Sequence, residues 1–373
     1  MVEWKKLGEI CDIGTGSNNR EDACDSGLYP FYVRSQEVLR INSYLYDEEA
    51  ILIPGEGGIG DIFHYIKGKY GLHQRTYRVH PTTNEIGGRY LYYYLFANFK
   101  SYINQKSFKA TAASIRKPML MNFLIAYPTL SEQQRIVDIL DTFTSTIENL
   151  KQQIVQRRKQ YEYYRDQLLD LEGKEGVEMK EMWEVTAWDK KFQGVDKYMQ
   201  TQIVTYSYLL AKDLFALSVP NGDVKLLSTG VQEGWTTQEL AGNNLCKGEV
   251  VTIPWGKSPG AQNPVKYYKG KFVTGDNRIA TSLNINTLSN KYLYYWMCFK
   301  SDLIETYYRG AGIQHPSMSK ILTMIVPLPY ISEQQRIVSI LDTFEASIAN
   351  LEAQLAQREK QYEYYRNKLL TFE

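Results

Sequence analysis

The sequence predicts an α+β protein in which two mixed α/β domains alternate with two long helices. Three observations predict this fold class. Residues 131–169 recur at 332–370 with 27 of 39 positions identical, which marks a duplicated half-protein. Both copies lack glycine and proline and carry a heptad repeat, the pattern of paired helices. The segments in front of the copies share little sequence and contain short strand-like runs between turns.

The first domain, residues 1–130, contains short apolar runs at 50–53 and 76–79 that predict β-strands. A tyrosine-rich stretch at 90–103 predicts the helix that precedes the first long helix. Weak similarity to this stretch returns at 292–304, so the duplication extends into the domains.

Three glycines of the first domain, Gly55, Gly57 and Gly60, match the spacing of a dinucleotide-binding loop. The residues after them, DIFHYIKGKYG, predict a strand and a turn, whereas that site requires a helix. The corresponding segment of the second half, PWGKSPG, also predicts a loop. We therefore expect a hairpin loop and no nucleotide site.

The first spacer helix, residues 131–172, has one apolar stripe whose steps alternate between four and three residues. Ser131 and Gln134 have the spacing of a capping box at its start. Arg157 takes the one seam position that is not apolar, either as a register device or as an outward-pointing side chain. The seam residues are Ile136, Leu140, Phe143, Ile147, Leu150, Ile154, Tyr161, Tyr164 and Leu168.

The linker and second domain occupy residues 173–330, and the polar stretch 171–182 is predicted to connect the halves. Runs at 249–253 and 271–274 predict strands, and 292–304 predicts a helix.

The second spacer helix, residues 331–373, repeats the stripe, the seam arginine (Arg358) and the capping box (Ser332 and Gln335). A long helix with one apolar stripe needs a partner, and the other copy is available in the same chain. We expect antiparallel pairing about a pseudo-twofold axis, with the domains at opposite ends of the pair. The seam residues here are Ile337, Leu341, Phe344, Ile348, Leu351, Leu355, Tyr362, Tyr365 and Leu369.

Composition excludes several classes of protein. The chain has 373 residues, with 43 Lys and Arg against 42 Asp and Glu, so no strong global charge indicates a nucleic-acid partner. No long apolar run or signal-peptide core is present, and the four scattered cysteines form no zinc or disulfide pattern. We expect a cytoplasmic protein without metal.

The histidines lack metal-ligand spacing, and no nuclease, amino-methyltransferase or GxSxG motif occurs, so no catalytic site is predicted.

Charge by segment is more informative than the total. The two domain segments carry net +2 and +3, whereas each spacer helix carries −2. The sign of this weak pattern favours nucleic acid at the domains and not at the helices.

Basic and amide side chains cluster in both domains. Arg, Asn and Gln pair with base edges, and Lys and Arg pair with phosphates, so these clusters are candidate DNA contacts. The alternative for each cluster is an ordinary solvated surface. The candidates in the first domain are Arg34, Gln36, Lys67, Lys69, His73, Gln74, Arg75, Lys109, Arg116 and Lys117. Those in the second domain are Lys257, Ser258, Gln262, Asn263, Lys266, Lys269, Lys271, Asn277, Arg278, Gln314 and His315.

Two dissimilar domains, each followed by a helix that begins SEQQRIV, resemble the DNA-specificity subunits of type I restriction–modification systems. The segments WKKLGEI at 4–10 and GAGIQHPSMSK at 310–320 also fit that family. The resemblance implies a non-catalytic subunit with two target-recognition domains, each of which reads one half of a bipartite site in double-stranded DNA. It further implies that the helices space the domains and hold two modification (methyltransferase) subunits that use S-adenosylmethionine. Restriction subunits that use ATP are further expected partners, and no cofactor is expected in this chain.

Two alternatives belong to other classes of protein. A stand-alone enzyme is disfavoured by the missing motifs. A coiled-coil scaffold that binds only protein would share the helices but would show no DNA preference of its own.

Overall fold

A computed structural model of the chain describes residues 2–106, 114–260 and 265–372. It divides into two compact units, residues 1–153 with 351–373, and residues 154–350. Each unit thus contains one domain together with parts of both long helices.

The first unit contains eight strands in the described residues. These are β1 (Glu3–Lys6), β2 (Cys11–Thr15), β3 (Tyr29–Tyr32), β4 (Val38–Ile41), β5 (Tyr46–Pro54), β6 (His64–Leu72), β7 (Thr76–Pro81) and β8 (Leu124–Tyr127). Its helices are α1 (Leu7–Ile10), α2 (Gly88–Lys106), α3 (Lys117–Met121) and the first part of α4 (Leu130–Leu169).

Six of these strands form one sheet in the order β2-β7-β5-β6-β3-β4, and β1 pairs with β8 in a small second sheet. Neighbouring strands are antiparallel except β3 and β6, which are parallel. The segment after the edge strand β2 reaches the end of β6, where the Asn18 amide donates to the Leu72 carbonyl at 3.2 Å. Helix α2 packs its buried aromatic face against the sheet and forms the centre of the core.

The second unit contains ten strands in the described residues. These are β9 (Glu178–Glu181), β10 (Thr186–Trp188), β11 (Val224–Leu227), β12 (Gly234–Thr236), β13 (Cys246–Pro254), β14 (Lys266–Thr274), β15 (Asn277–Ser282), β16 (Tyr308–Arg309), β17 (His315–Pro316) and β18 (Ile325–Leu328). Its helices are α5 (Met182–Val185), α6 (Ala211–Ala216), α7 (Gln238–Ala241), α8 (Asn290–Phe299), α9 (Ser301–Glu305), α10 (Met318–Leu322) and the first part of α11 (Ile331–Leu370).

The two domains share one topology. The second sheet has the order β10-β15-β13-β14-β11-β12, again with one parallel pair, β11 with β14, and β9 pairs with β18 as β1 does with β8. The four runs predicted as strands fall within β5, β7, β13 and β14. The duplication therefore includes the domain fold, although the sequences of the domains have diverged.

Some of the 30 tyrosines of the chain recur at matching positions of the two domains. Tyr90 and Tyr292 are fully buried and donate to the Ala126 and Pro327 carbonyls, at 2.9 Å each. Their neighbours Tyr93 and Tyr295 are also buried, and each donates to an aspartate of a long helix at 2.5 Å. A buried tyrosine needs such a partner for its hydroxyl.

Helices α4 and α11 pair in antiparallel fashion in each unit. In the first unit, Phe143 stacks on Tyr365 with ring centroids 5.4 Å apart, and Lys151 pairs with Glu359 at 3.1 Å. Because the partner numbers fall as the numbers in α4 rise, the helices run in opposite directions. In the second unit, Tyr164 stacks on Phe344 at 5.5 Å in the same sense.

The seam prediction needs correction at one end of each helix. Leu168 and Leu369 are only half-buried, whereas Leu169 and Leu370, which the seam omitted, are buried because they pack into the domain cores. Tyr164 is 47% exposed although its ring stacks on Phe344. The seam arginines lie over phenylalanine rings, Arg157 over Phe344 at 5.8 Å and Arg358 over Phe143 at 5.7 Å.

The predicted capping boxes are wrong. Helix α4 begins at Leu130, one residue before Ser131, and the Thr129 hydroxyl accepts from the Glu132 amide at 3.4 Å. The residue that secures this end is Gln133, which is 2% exposed. Its side chain accepts from the Gly87 amide at 2.9 Å and donates to the carbonyls of Glu85 and Pro128, both at 2.9 Å.

The second helix begins in the same way at Ile331, with Ser332 exposed in its first turn. Gln334 is fully buried and accepts from the Ser289 amide at 2.9 Å. It donates to the carbonyls of Thr287 at 2.8 Å and Pro329 at 3.0 Å. These two buried glutamines join each helix to its domain.

The linker is shorter than predicted, because Glu178–Glu181 form strand β9 against Ile325–Leu328. The predicted helix 292–304 is also two helices, α8 and α9, which divide at Lys300. Among the described helices, none is long and apolar enough to cross a membrane.

Candidate nucleic-acid interface

Three loops of the first domain meet at one end of its sheet. Arg34 follows β3, Glu56 follows β5, and Arg75 lies in the turn between β6 and β7. One carboxylate oxygen of Glu56 accepts from Arg34 at 3.1 Å and from Arg75 at 2.8 Å. Hairpin loop 55–63, where the glycines Gly57, Gly58 and Gly60 have positive φ, carries the glutamate. This outcome confirms the predicted hairpin loop.

The electrostatics of the cluster favour an ionised glutamate. The hydrogen bond from Arg75 holds the pKa of the Glu56 carboxyl below its usual range, and the nearby charge of Arg34 acts in the same direction. A small cleft of about 180 Å³ lies beside the cluster and is lined by Arg20, Val33, Arg34, Ser35, Glu56, Gly57 and His73.

His73 is buried, contrary to its place among the candidate DNA contacts. Its side chain is largely enclosed, and burial lowers its pKa, with Arg34 and Arg75 acting in the same direction. The Nδ1 atom accepts from the Arg75 amide at 3.0 Å. A buried, neutral imidazole shapes the turn and offers no charge to a phosphate.

The other candidates in the described part of the first domain are exposed. Gln74 donates to Asn19 at 2.6 Å, and the Lys69 ammonium lies 4.7 Å from the centre of the Tyr44 ring. The remaining exposed candidates are Gln36, Lys67, Arg116 and Lys117. Lys109 lies outside the described residues.

The corresponding loop of the second domain, after β13, has different chemistry. Trp255 packs its ring 4.7 Å from the ring of His315, whose Nδ1 lies 2.9 Å from the Trp255 carbonyl oxygen. Two adjoining grooves of about 450 and 620 Å³ share Trp255 and Asp276 in their walls. Lys190 and Tyr208 also line the larger groove.

Four candidates of the second domain are bound within the domain, and we correct their assignment. Lys257 is 7% exposed and pairs with Glu305, and its ammonium lies 5.1 Å from the centre of the Tyr308 ring. Lys266 donates to the Ser228 carbonyl at 2.8 Å, and burial lowers its pKa.

Asn277 and Arg278 are equally enclosed. The Asn277 amide donates to the Leu227 carbonyl at 2.8 Å. Arg278 is 3% exposed and pairs with Asp189 at 3.1 Å and Asp276 at 2.7 Å. Removing such a buried partner is costly, so these side chains hold the domain together and are not free to reach DNA.

The remaining candidates of the second domain are accessible to different degrees. Lys269 is exposed and pairs with Glu249 at 3.1 Å, and Lys271 donates to Gln238 at 2.7 Å. Ser258 and His315 are exposed, and Gln314 is half-buried. Gln262 and Asn263 lie outside the described residues.

The sequence predictions missed Glu56, Trp255 and Tyr208. An acidic residue is normally excluded from a DNA surface because it repels phosphates, so only its two arginine partners identify Glu56. Trp255 could have been predicted as a candidate, because it lies in the segment PWGKSPG, which corresponds in the second half to the glycine loop of the first. Among the described residues, no group of three His, Cys, Asp or Glu side chains could hold a metal ion.

Comparison with known proteins agrees with this architecture. The family model described as the type I restriction modification DNA specificity domain matches residues 1–157 and again 211–359. The chain is 34% identical to the type I restriction enzyme EcoDI specificity subunit of Escherichia coli, over 42% of this chain and 34% of that protein. The chain thus spans about a third of the length of that relative.

Other relatives match over a greater length. A Haemophilus influenzae protein, provisionally named as a type I restriction enzyme specificity subunit, is 26% identical over 100% of this chain and 96% of its own. The crystal structure of a type I restriction–modification S subunit from M. genitalium aligns with a TM-score of 0.71, at 14% identity, over 100% of this chain and 97% of that one. This structural match supports the fold.

Proposed function

Because the chain belongs to the type I restriction–modification DNA-specificity family, we propose that its two domains each read one half-site of a bipartite DNA target while its helices hold the modification subunits. One observation supports this proposal most directly: the two domains have the same topology, but the loop that follows β5 in the first and β13 in the second carries different side chains. The first offers paired arginines on Glu56, and the second offers the Trp255–His315 ring pair. Different side chains at one position of one fold are what two different half-sites require.

The chain is the non-catalytic, targeting component. Its relatives are named specificity subunits. We propose that S-adenosylmethionine is bound by the modification subunits and ATP by the restriction subunits, and that the assembly acts on DNA in the cytoplasm.

The pattern of identity between the two long helices supports two equal docking surfaces. Only one of the first 13 aligned positions differs between the copies, and three of the last 14 differ, whereas eight of the 12 middle positions differ. Since many identical positions are exposed, core packing does not require their identity. In each unit, the start of one helix lies beside the end of the other, so each unit presents one surface of repeated residues.

Exposed tyrosines mark these two surfaces. Tyr163 is 62% exposed and its repeat Tyr364 is 58% exposed. Exposed aromatic rings are typical anchors of protein interfaces. Two equal surfaces support two copies of one partner, which we propose are modification subunits.

The DNA-binding function is tested with the complex of this chain and its modification subunits. The complex is mixed with a randomised duplex DNA library, and bound duplexes are sequenced. We expect two enriched half-sites separated by unspecified base pairs. Recovery of duplexes with no enriched sequence would instead support the scaffold that binds only protein.

The stoichiometry is tested by Tyr163→Ala, Tyr364→Ala and the double variant. Native mass spectrometry should show two modification subunits on the wild-type chain, one on each single variant and none on the double variant. The matched control is Val155→Ala, which removes an exposed apolar side chain at a middle position where the second helix already has alanine. An unchanged mass for the double variant would contradict the assignment of these surfaces.

A further inference from the structure

We propose that Glu56 is a positioning residue that, together with Arg34, holds Arg75 so that its guanidinium fork faces one guanine of the first half-site. This inference rests on the proposed function, because it assigns a chemical role to one loop of the first domain. Glu56 acts through the arginines and need not touch DNA itself.

The geometry joins three loops that are distant in sequence. The same Glu56 oxygen, Oε2, accepts from one terminal nitrogen of Arg34 and one of Arg75. All three side chains remain accessible, with 47%, 55% and 36% of Arg34, Arg75 and Glu56 exposed. Two guanidinium groups would otherwise repel each other, and the shared carboxylate offsets that repulsion.

The backbone beneath the arginines is fixed by two buried histidines. The Arg75 amide donates to His73 Nδ1 at 3.0 Å, and the Arg75 carbonyl accepts from the Gly55 amide at 2.9 Å. His64 Nε2 lies 3.1 Å from the carbonyl oxygen of Ser35, the residue after Arg34. Both arginines therefore start from a constrained backbone, so the carboxylate needs to order only their side chains.

The chemistry points to guanine. Arginine pairs bidentately with guanine O6 and N7 in the major groove. In each of these arginines only one terminal nitrogen bonds to Glu56, so Nε and the second terminal nitrogen keep donors for a base. An arginine side chain that is already held in its binding orientation loses less conformational entropy when it binds a base. The carboxylate therefore has a use next to DNA, where a glutamate without arginine partners would only repel the phosphates.

The second domain has no such fork among its described residues at the matching loop, where Trp255 and His315 pack together. Loss of the Glu56 carboxylate should therefore change the reading of one half-site only. The other half-site then serves as an internal reference for folding and for overall DNA affinity.

The test uses the complex with modification subunits and a duplex DNA library in which both half-sites are randomised. Glu56→Gln removes the charge at nearly constant size, and Arg75→Lys keeps the charge but removes the fork. In each variant, we expect the preference for guanine over the other bases to fall about tenfold at the same single position of the first half-site. The preferences at the second half-site should not change. The matched control is Asp61→Asn, which removes a carboxylate of the same loop that pairs with Lys100.

The outcomes separate the proposal from its rivals. Uniformly tighter binding by Glu56→Gln would show that the carboxylate only repels phosphate, and uniformly weaker binding or no change would also overturn the proposal. A preference for cytosine lost with Glu56→Gln but kept with Arg75→Lys would assign base contact to the glutamate itself and overturn its positioning role. If the wild-type complex itself showed no base preference at either half-site, that result would contradict the proposed function as a whole and not only the role of Glu56. Preserved reading of the second half-site and an unchanged melting temperature exclude misfolding as the cause.

Discussion

At the residue scale, the buried Gln133 side chain connects helix α4 to the first domain through three hydrogen bonds. Gln133→Leu keeps the size but leaves the Gly87 amide and two carbonyls without this partner. We expect a loss of about 1–3 kcal/mol in the free energy of unfolding, because a buried group without a hydrogen bond is costly. Chemical denaturation of the purified chain measures this loss.

The neighbouring residue provides the control for this prediction. Gln134 is exposed and bonds to Asp138 on the helix surface at 2.7 Å. Gln134→Leu should change stability by no more than about 0.5 kcal/mol. Equal losses for the two variants would mean that the side chain of Gln133 has no special role.

We expect the buried His64 to make the first domain sensitive to acid. Burial lowers the pKa of His64 below its usual range, so the folded state favours the neutral ring. The unfolded chain then binds more protons, and the stabilisation is complete above about pH 6.5 and decreases as pH falls through that value. Hydrogen exchange should show faster opening of the first domain at pH 5.5 than at pH 7.5. The same acid sensitivity in His64→Gln would refute this assignment.

Residue types alone could not separate binding from structural polar side chains. The sequence shows that Lys266, Asn277 and Arg278 are polar and places them near predicted loops. Their hydrogen-bond and ion-pair partners, however, lie far away in the chain. Arg34 and Arg75 could be predicted as candidates, whereas the glutamate between them could not. Burial and pairing depend on the tertiary fold, which a local cluster of charges does not specify.

At the element scale, the long helices depend on their apolar seam. Leu150 lies in the middle of α4 and is 8% exposed. Leu150→Asp places a charge in this seam and should cost at least about 2 kcal/mol, the lower range for truncation of a buried leucine. Circular dichroism during thermal unfolding measures the effect, with the exposed Gln152→Asp as control. A thermal stability equal to that of the control would show that the seam is not needed.

The regular elements were more predictable than their ends. The heptad spacing predicted both long helices because one period persists over 40 residues. The start of each helix was misplaced by the capping-box pattern, since buried Gln133 and Gln334 bond to domain backbone that the local sequence does not reveal. Strand β9 was missed because its pairing partner, β18, is more than 140 residues away.

At the scale of the whole molecule, each domain should carry an independent half of the specificity. The domains share their topology but have different loop chemistry. We expect that replacing residues 1–130 with the domain of another family member changes one half-site and leaves the other intact. Methylome sequencing of cells that carry the hybrid and its modification subunit gives the result, and changes in both half-sites would contradict independence.

The length of the paired helices should set the unspecified gap in the DNA target. The division between the two units crosses α4 after Gln153 and α11 before Leu351. Seven residues inserted after Ile154 and seven before Leu351 preserve the heptad pattern and add about 10 Å to each helix. At about 3.4 Å per base pair, the gap should widen by about 3 base pairs.

Methylome sequencing also measures the gap, and a single insertion in α4 alone is the control because it breaks the pairing register. A doubly extended protein that folds and directs methylation with an unchanged gap would show that the helices do not set the spacing.

The hydrogen bonds of Gln133 and Gln334 have an evolutionary consequence. Their partners are all peptide groups: two amides and four carbonyls of the domain and helix-entry backbone. Every amino acid supplies a peptide carbonyl and all but proline supply an amide, so this attachment makes little demand on side-chain identity. A lineage can therefore exchange or diversify a whole domain, and with it the half-site that we propose the domain reads, without changing the residues that attach the domain to its helix.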